Sequence, residues 1–149
     1  MQSLATVQSH ASVATITMAV VVASVFVHYE ALSYLTGMLK RLHTAARPRI
    51  LLLIFALLLI HMAEIWIFGL AYYLLVSTEG HGALVASHPM GLLDCVYYSA
   101  VCYTTLGLGD VVPTGPIRFL TGMETLTGFV LITWSASFMF LEMQRFWKN

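Results

Sequence analysis

Three stretches of this chain stay apolar for about 20 residues or more, the length at which an α-helix crosses the hydrocarbon core of a bilayer. They cover residues 11–37, 50–77 and 117–141. Charged residues make up only 9% of the sequence, whereas about 25% is usual in soluble domains. Because lipid offers the backbone no hydrogen-bond partners, such stretches must be helical. The sequence therefore predicts an all-α integral membrane protein with three transmembrane helices.

A fourth apolar segment, residues 92–104, contains neither glycine nor proline. A helix of this length reaches about 20 Å, which is short of the roughly 30 Å hydrocarbon core. We therefore predict a re-entrant helix that enters and leaves the membrane on the same side.

The basic residues predict the orientation of the chain, because Lys and Arg are enriched in short cytoplasmic segments. They follow the first span (Lys40, Arg41, Arg47 and Arg49) and the third span (Arg145 and Lys148), and Arg118 alone departs from this pattern. We expect the N-terminus outside and the C-terminus in the cytoplasm, in a plasma or bacterial inner membrane. The N-terminal segment lacks the basic region and cleavage site of a signal peptide, so the first span is expected to be retained.

The short helix runs into the hexapeptide TLGLGD at residues 105–110. Glycine adopts positive φ at little cost, so Gly107 and Gly109 would allow consecutive carbonyl groups to face one side. A file of such carbonyls can replace the water around a dehydrated cation. The alternative interpretation is a glycine-rich turn, which soluble flanking sequence would favour.

With its flanking helices, the hexapeptide resembles the selectivity filter TVGYGD of the potassium channel pore-domain family, whose subunits consist of a helix, a pore loop and a helix. Since one chain supplies one loop, the resemblance implies a homotetramer. It divides the chain into an extra transmembrane helix with a basic loop (1–49), an outer helix (50–77), an outer loop (78–91), a pore helix (92–104), a filter (105–110), an inner helix (117–141) and a short cytoplasmic tail (142–149).

The resemblance also assigns roles around the filter. Potassium ions would bind at Thr105, Leu106, Gly107 and Leu108, with Gly109 completing the filter. Thr104 and Asp110 would support it, and we expect Tyr97 to hold Asp110 by a hydrogen bond. The alternative for Tyr97 is a tyrosine at the lipid interface.

Two residues depart from the family pattern. Leu108 stands where most members have Tyr or Phe, and leucine cannot donate the hydrogen bond that braces the filter. A weakly selective monovalent cation channel is therefore the main rival within the channel class. Val101 stands where some bacterial members have a glutamate paired with the aspartate, so we expect no such pair.

On the inner helix, Gly128 falls where the family has its gating hinge, and the alternative is a glycine that lets two helices pack closely. Counting along the same face predicts a pore lining of Ile132, Ser135, Ala136 and Met139. Phe138 or Phe140 would form a hydrophobic gate.

Ionisable residues inside a membrane are costly and call for a partner or a function. His61 and Glu64 are three residues apart and share a helix face. We hypothesise that they and Glu124 form a proton-sensitive contact between the outer and inner helices, with Glu124 protonated, or bonded to His61 or to threonines behind the filter. The alternative is a polar pair that holds helices together.

A second class of function is a membrane sensor or redox protein that uses His28, Glu30, His61 and Glu64 as a cofactor or metal site. The channel is favoured, with K⁺ as permeant ion, no other cofactor, membrane lipid as a partner and no nucleic acid. No nucleophile with a base at suitable spacing indicates an enzyme, and the first span has none of the regularly spaced basic residues of a voltage sensor.

Overall fold

The computed structural model describes residues 2–41 and 46–147. Its elements are, in chain order, α1 (Gln2–Arg41), α2 (Ala46–Val76), β1 (Ala83–Val85), α3 (Leu92–Tyr103), β2 (Val112–Thr114), a 3-10 turn (Gly115–Ile117) and α4 (Arg118–Trp147). Within the described ranges, three helices are long and apolar enough to cross a membrane: Thr6–Arg41, Pro48–Val76 and Gly115–Arg145. The predicted fold class is thus confirmed. Lys148 and residues 42–45 of the predicted basic loop lie outside the described residues.

The long helices run beyond the apolar stretches that predicted them. Helix α1 begins nine residues before position 11, and its N-terminal end packs on the loop that follows α2. There Ser9 donates a hydrogen bond to the carbonyl of Gly80, and Ser12 lies 2.9 Å from His81 Nε2. The N-terminal end of α1 is therefore on the same side of the molecule as the outer loop.

A small antiparallel sheet, which the sequence did not predict, closes the outer end of the subunit. Strand β1 pairs with β2, and Leu84 lies opposite Pro113. The sheet joins the loop before α3 to the segment after residues 105–110. Leu84 and Val111 are buried in the main core beside it, so both ends of the predicted pore loop are anchored to the same layer.

Helix α3 is held between α2 and α4 by two close backbone contacts. A Cβ atom at Gly69 of α2 would lie 2.8 Å from Val96 Cα, and one at Gly128 of α4 would lie 2.9 Å from Tyr103 Cα. Any side chain at either position would push the helices apart. Small residues at both crossings therefore fix the depth of α3 in the subunit.

Two clusters of buried side chains form the core. The main cluster surrounds α3 and includes the fully buried Phe68, Tyr72, Tyr103, Leu120 and Leu131. The second cluster, at the opposite end of the helices, consists of Leu32, Leu35, Leu39, Leu53 and Leu57, with Phe138 and Met139 packed against it. Helix α1 contributes to both clusters and so belongs to the same packed unit as the pore-loop helices.

Candidate functional site

Helix α3 corresponds to the predicted pore helix. It begins after Gly91, whose backbone N–H donates to Asp94 Oδ2 at 2.7 Å. That bond is the main cause of a lowered pKa of the Asp94 carboxyl, and a hydrogen bond with His88 lowers it further. The acidic side chain sits at the helix end where backbone N–H groups are unpaired. The negative end of the helix dipole accordingly points toward the segment that follows Tyr103.

Residues 105–110 have the backbone that the carbonyl file requires. The φ angles of Thr105, Gly107 and Gly109 are 60°, 58° and 79°. Thr105 is the only non-glycine residue with positive φ in the described part of the chain, so the two intervening leucines have negative φ. When residues of positive and negative φ alternate, successive N–H groups face one side, as in anion-binding nests, and the carbonyl groups face the other.

The start of this segment is tied to the last turn of α3. The N–H groups of Leu106 and Gly107 both donate to the carbonyl of Val101, at 3.0 and 3.3 Å. Since these N–H groups point back into the subunit, they leave the other side to the carbonyl oxygens. The main chain of Val101 therefore holds the start of this segment.

The side chains of the segment are uncovered within the single chain. All residues from 104 to 110 are exposed, and Leu106 and Leu108 expose 63% and 57% of their surfaces. Behind them lies a cavity of about 240 Å³ bounded by α3 and α4, with Tyr98, Thr121 and Thr125 in its wall. Leu108 is too short and too apolar to brace this space by hydrogen bonding.

The predicted hydrogen bond between Tyr97 and Asp110 is present. The Tyr97 hydroxyl donates to Asp110 Oδ2 at 2.7 Å, and this bond to a carboxylate raises the pKa of Tyr97. The contact links the middle of α3 to the last residue of the hexapeptide. Its role in holding the filter remains a prediction.

Replacing Tyr97 with phenylalanine is expected to leave the subunit folded and to shorten the conducting state of the filter several-fold. Because the folded-state pKa of Tyr97 is raised, the bond contributes stability below about pH 10 and is lost as pH rises through that pKa. Single-channel recordings of the two proteins at neutral pH measure the effect. Tyr73→Phe, at another exposed tyrosine, is the control, and equal dwell times in all three proteins would contradict the proposed support.

Glu64 is the centre of a buried polar network at membrane depth. His28 Nδ1 lies 2.8 Å from Glu64 Oε1, and His61 Nδ1 lies 3.0 Å from Glu64 Oε2. Tyr103, the last residue of α3, donates its hydroxyl to the same Oε2. His28 and Glu64 are fully buried. The network therefore joins α1, α2 and the end of the pore helix.

Glu124 belongs to a separate network. Its Oε2 accepts a hydrogen bond from Tyr72 at 2.6 Å, and its Oε1 lies 2.5 Å from Ser99 Oγ. The predicted bond from Glu124 to His61 is wrong, because His61 contacts Glu64 and Tyr103 instead. The predicted link between outer and inner helices exists, but Tyr72 makes it.

The hydrogen-bond partners of Glu124 fit a neutral carboxylic acid. Ser99 Oγ lies 2.8 Å from the carbonyl of Ile65 as well as 2.5 Å from Glu124 Oε1. A carbonyl only accepts and Ser99 has a single hydroxyl proton, so both contacts are hydrogen bonds when Ser99 donates to Ile65 and a neutral Glu124 donates to Ser99. No cation contacts Glu124 among the described residues, which fits a neutral acid at this depth.

Glu124→Gln should therefore be close to the parent protein in stability, because an amide can donate to Ser99 and accept from Tyr72. Glu124→Leu, of similar size, removes one hydrogen-bond partner from each of the Ser99 and Tyr72 hydroxyls, and we expect a loss of about 1–3 kcal/mol in unfolding free energy. Thermal unfolding of the detergent-solubilised protein compares the two. A glutamine variant as unstable as the leucine variant would show that Glu124 is ionised.

The face of α4 that was predicted to line the pore packs mainly against other helices of the same chain. Gly128 packs on the backbone of Tyr103, and Ser135 is buried with its Oγ 3.4 Å from His28 Nε2. Ile132 and Met139 border a groove toward α2. Gly128, Ile132, Ser135 and Met139 of the predicted lining therefore face other helices of the same chain, whereas Ala136 is exposed.

The two candidate gate residues differ in their surroundings. Phe138 is partly buried against the second cluster, whereas Phe140 is 57% exposed. Phe140 is the one of the pair whose ring is available to a constriction. For Gly128, the structure provides a packing contact, and its role as a hinge remains a prediction.

Sequence reasoning missed Tyr72, Ser99 and Tyr103, the partners of the two buried glutamates. A signal was present, since every intramembrane carboxyl needs a hydrogen-bond donor and these residues are polar positions on otherwise apolar helices. Of the four residues grouped as a possible cofactor or metal site, His28, His61 and Glu64 lie together. Glu30 is exposed and takes no part in either network.

Two helices of membrane-spanning length that flank a short apolar helix and a loop of alternating φ are the arrangement of an ion channel pore domain. A comparison with protein families agrees: the family model described as "Ion channel" matches residues 49–145, which is more than half of the 149 residues. The chain therefore belongs to this ion channel family and is a multi-pass membrane protein. No curated protein and no solved structure matches the chain.

Proposed function

We propose that four copies of this chain surround a common axis and conduct potassium ions passively across a cell membrane. The observation that carries the proposal is the alternation of positive and negative φ from Thr105 to Gly109. A loop that only reversed the chain would need one or two such residues, not three at alternate positions. The alternation supports a file of four or more oxygen rings that replace the hydration shell of K⁺.

A ring of four also accounts for the uncovered surface of the single chain. Irregular backbone at membrane depth is tolerated only when protein or a watery cavity shields it from lipid. The exposed residues 104–110 are such a backbone. Neighbouring subunits would cover Leu106 and Leu108 on one side, and the ion file would occupy the other.

The exposed stripe of α4 supplies the inner wall of this pore. Phe129, Thr133, Ser137 and Phe140 are exposed, and their spacing of three or four residues places them on one helix face. This stripe replaces the lining expected from Gly128, Ile132 and Ser135. Phe140, nearest the C-terminal end, forms the narrow part of the proposed gate.

Leu108 makes weak monovalent selectivity the second candidate. An aromatic hydroxyl at this position would hold the filter diameter through a hydrogen bond, and leucine has none. The space of about 240 Å³ behind the segment also leaves that region without close packing in the single chain. We favour potassium selectivity because the main-chain bonds from Leu106 and Gly107 to Val101 brace the filter without that ring.

The test is potassium flux through purified protein in liposomes, together with the mass of the assembled particle. A tetramer that carries K⁺ supports the proposal, whereas a monomer or dimer, or absence of flux from a tetramer, overturns it. Reversal potentials with K⁺ on one side and Na⁺ on the other separate the two candidates. Equal permeabilities would assign weak selectivity.

The membrane orientation follows the same proposal. The filter and the N-terminal end of α1 share one side of the subunit, and that side faces the cell exterior, with the C-terminus in the cytoplasm. The basic residues at the other end fit this orientation. Labelling of an introduced cysteine at Glu79 from outside intact cells checks it.

A further inference from the structure

The network around Glu64 has the composition of a metal site. His28, His61 and Glu64 each offer one ligand atom, and these three atoms all lie within 4.8 Å of one another. Two imidazoles and one carboxylate are a common ligand set of Zn²⁺, which adopts tetrahedral geometry with ligands at about 2.0–2.2 Å. Among the described residues, no other group of three such side chains meets this condition.

The ligand atoms already converge on one point. Both histidines direct Nδ1 at the carboxylate, at 2.8 and 3.0 Å. Neighbouring ligands of a tetrahedral zinc are about 3.3 Å apart, given its bond lengths. The distances of 2.8 and 3.0 Å from the two imidazoles to the carboxylate are within about 0.5 Å of that spacing. The hydroxyl of Tyr103, 3.0 Å from His61 Nδ1, is beside the fourth position.

Second contacts orient the ring of His28 for this role. Its other nitrogen, Nε2, lies 3.4 Å from Ser135 Oγ, and its ring packs on Trp134 with centroids 5.2 Å apart. Metal-binding histidines usually have such a partner on the second nitrogen, which fixes the ring and its tautomer. His28 thus presents Nδ1, and not Nε2, to the cluster.

Charge also favours a cation at this point. No lysine or arginine contacts Glu64 in the described ranges, so the carboxylate is compensated only by groups that carry a proton. Burying such a carboxylate at membrane depth is costly without a positive partner. A divalent ion would supply that partner and would displace the protons of the two imidazoles.

One ligand of the cluster borders a groove. His61 and Ser135 line a groove of about 300 Å³ between α2 and α4, and 17% of the His61 side chain is exposed. His28 and Glu64 are fully buried behind it. We propose that His28, His61 and Glu64 bind one zinc ion per chain and so fasten the extra helix α1 to the pore-forming helices.

The proposal is tested by zinc binding to the full chain, purified in detergent and stripped with a chelator. Calorimetric titration with ZnCl₂ is expected to give one site per chain and a rise in the unfolding temperature. His28→Asn and His61→Asn keep an N–H donor for Glu64 but remove the imidazole ligand. Loss of a residue that only orients a ligand weakens metal binding by about 10- to 100-fold. Loss of a ligand itself should weaken zinc binding by at least about 100-fold.

His10→Asn is the matched control, because it makes the same change at an exposed position of the same helix and should leave binding unaltered. Absence of stoichiometric zinc binding, or binding that survives both cluster substitutions, would overturn the proposal. Glu64→Gln adds an independent check, since it retains acceptor and size and should also lose the site. These measurements need no ion flux, so they are decided separately from the channel proposal.

Discussion

Replacing Gly109 with alanine is expected to reduce potassium flux by at least about 100-fold while the helices of each subunit stay folded. Gly109 has a φ of 79°, where a side chain costs about 1–2 kcal/mol. Four copies in one ring would raise the cost to roughly 4–8 kcal/mol, and each 1.4 kcal/mol is a factor of ten in population. The backbone would relax to negative φ and turn a ring of carbonyl groups away from the axis.

Flux of K⁺ from loaded liposomes measures this effect, and particle mass with thermal unfolding shows whether the variant still assembles. Gly37→Ala is the control, because a Cβ there meets nothing within 4 Å and Gly37 lies inside helix α1. Alanine at Gly37 should keep the flux and even stabilise the helix slightly. Normal potassium flux through an assembled Gly109→Ala protein would remove the filter from the proposed pathway.

The positive φ angles of Gly107 and Gly109 could be predicted from the sequence because their constraint is local. Positive φ at residues 107 and 109 requires glycine or a penalty, and the glycines stand at those positions in the printed sequence. The Tyr97 to Asp110 bond was predictable through the family resemblance. Positive φ at Thr105 was not, since nothing in threonine itself favours it.

The packing of the long helices could not be predicted in the same way. Helices α1, α2 and α4 are apolar on every side, so periodicity does not identify the face that meets another helix. The assignment of Ser135 to the pore lining failed for this reason, and contact with His28 across 107 residues gives no local signal. The sheet of β1 and β2 was missed because three-residue strands are too short for an alternating pattern.

For the buried glutamates, too, the sequence predicts the local requirement but not the long-range contact. That Glu64 and Glu124 need partners follows from their depth alone. Which partners they have depends on how α1 and α3 pack against α2, and those contacts join residues 25 to 52 positions apart. Sequence therefore identified the residues that matter, and only the structure separated them into two networks.

Replacing Gly128 with alanine is expected to destabilise the subunit by at least about 3 kcal/mol, the upper end of the usual cost of overpacking. An added Cβ would overlap the carbonyl oxygen of Tyr103 and lie 2.9 Å from its Cα. Backbone atoms cannot rotate aside as a side chain can, so α3 itself would have to move. Because Tyr103 also donates to Glu64 and precedes the filter by two residues, that movement would disturb ion conduction as well.

Two measurements distinguish this packing role from the hinge that the family resemblance implies. Packing predicts that Gly128→Ala lowers the unfolding temperature and alters conduction together, whereas a hinge predicts unchanged stability with altered opening. Gly122→Ala is the matched control, because it lies six residues earlier in α4 and its Cβ would meet nothing within 4 Å. If both variants unfold at the temperature of the parent protein and only Gly128→Ala changes open probability, Gly128 acts by bending and the contact with Tyr103 is incidental.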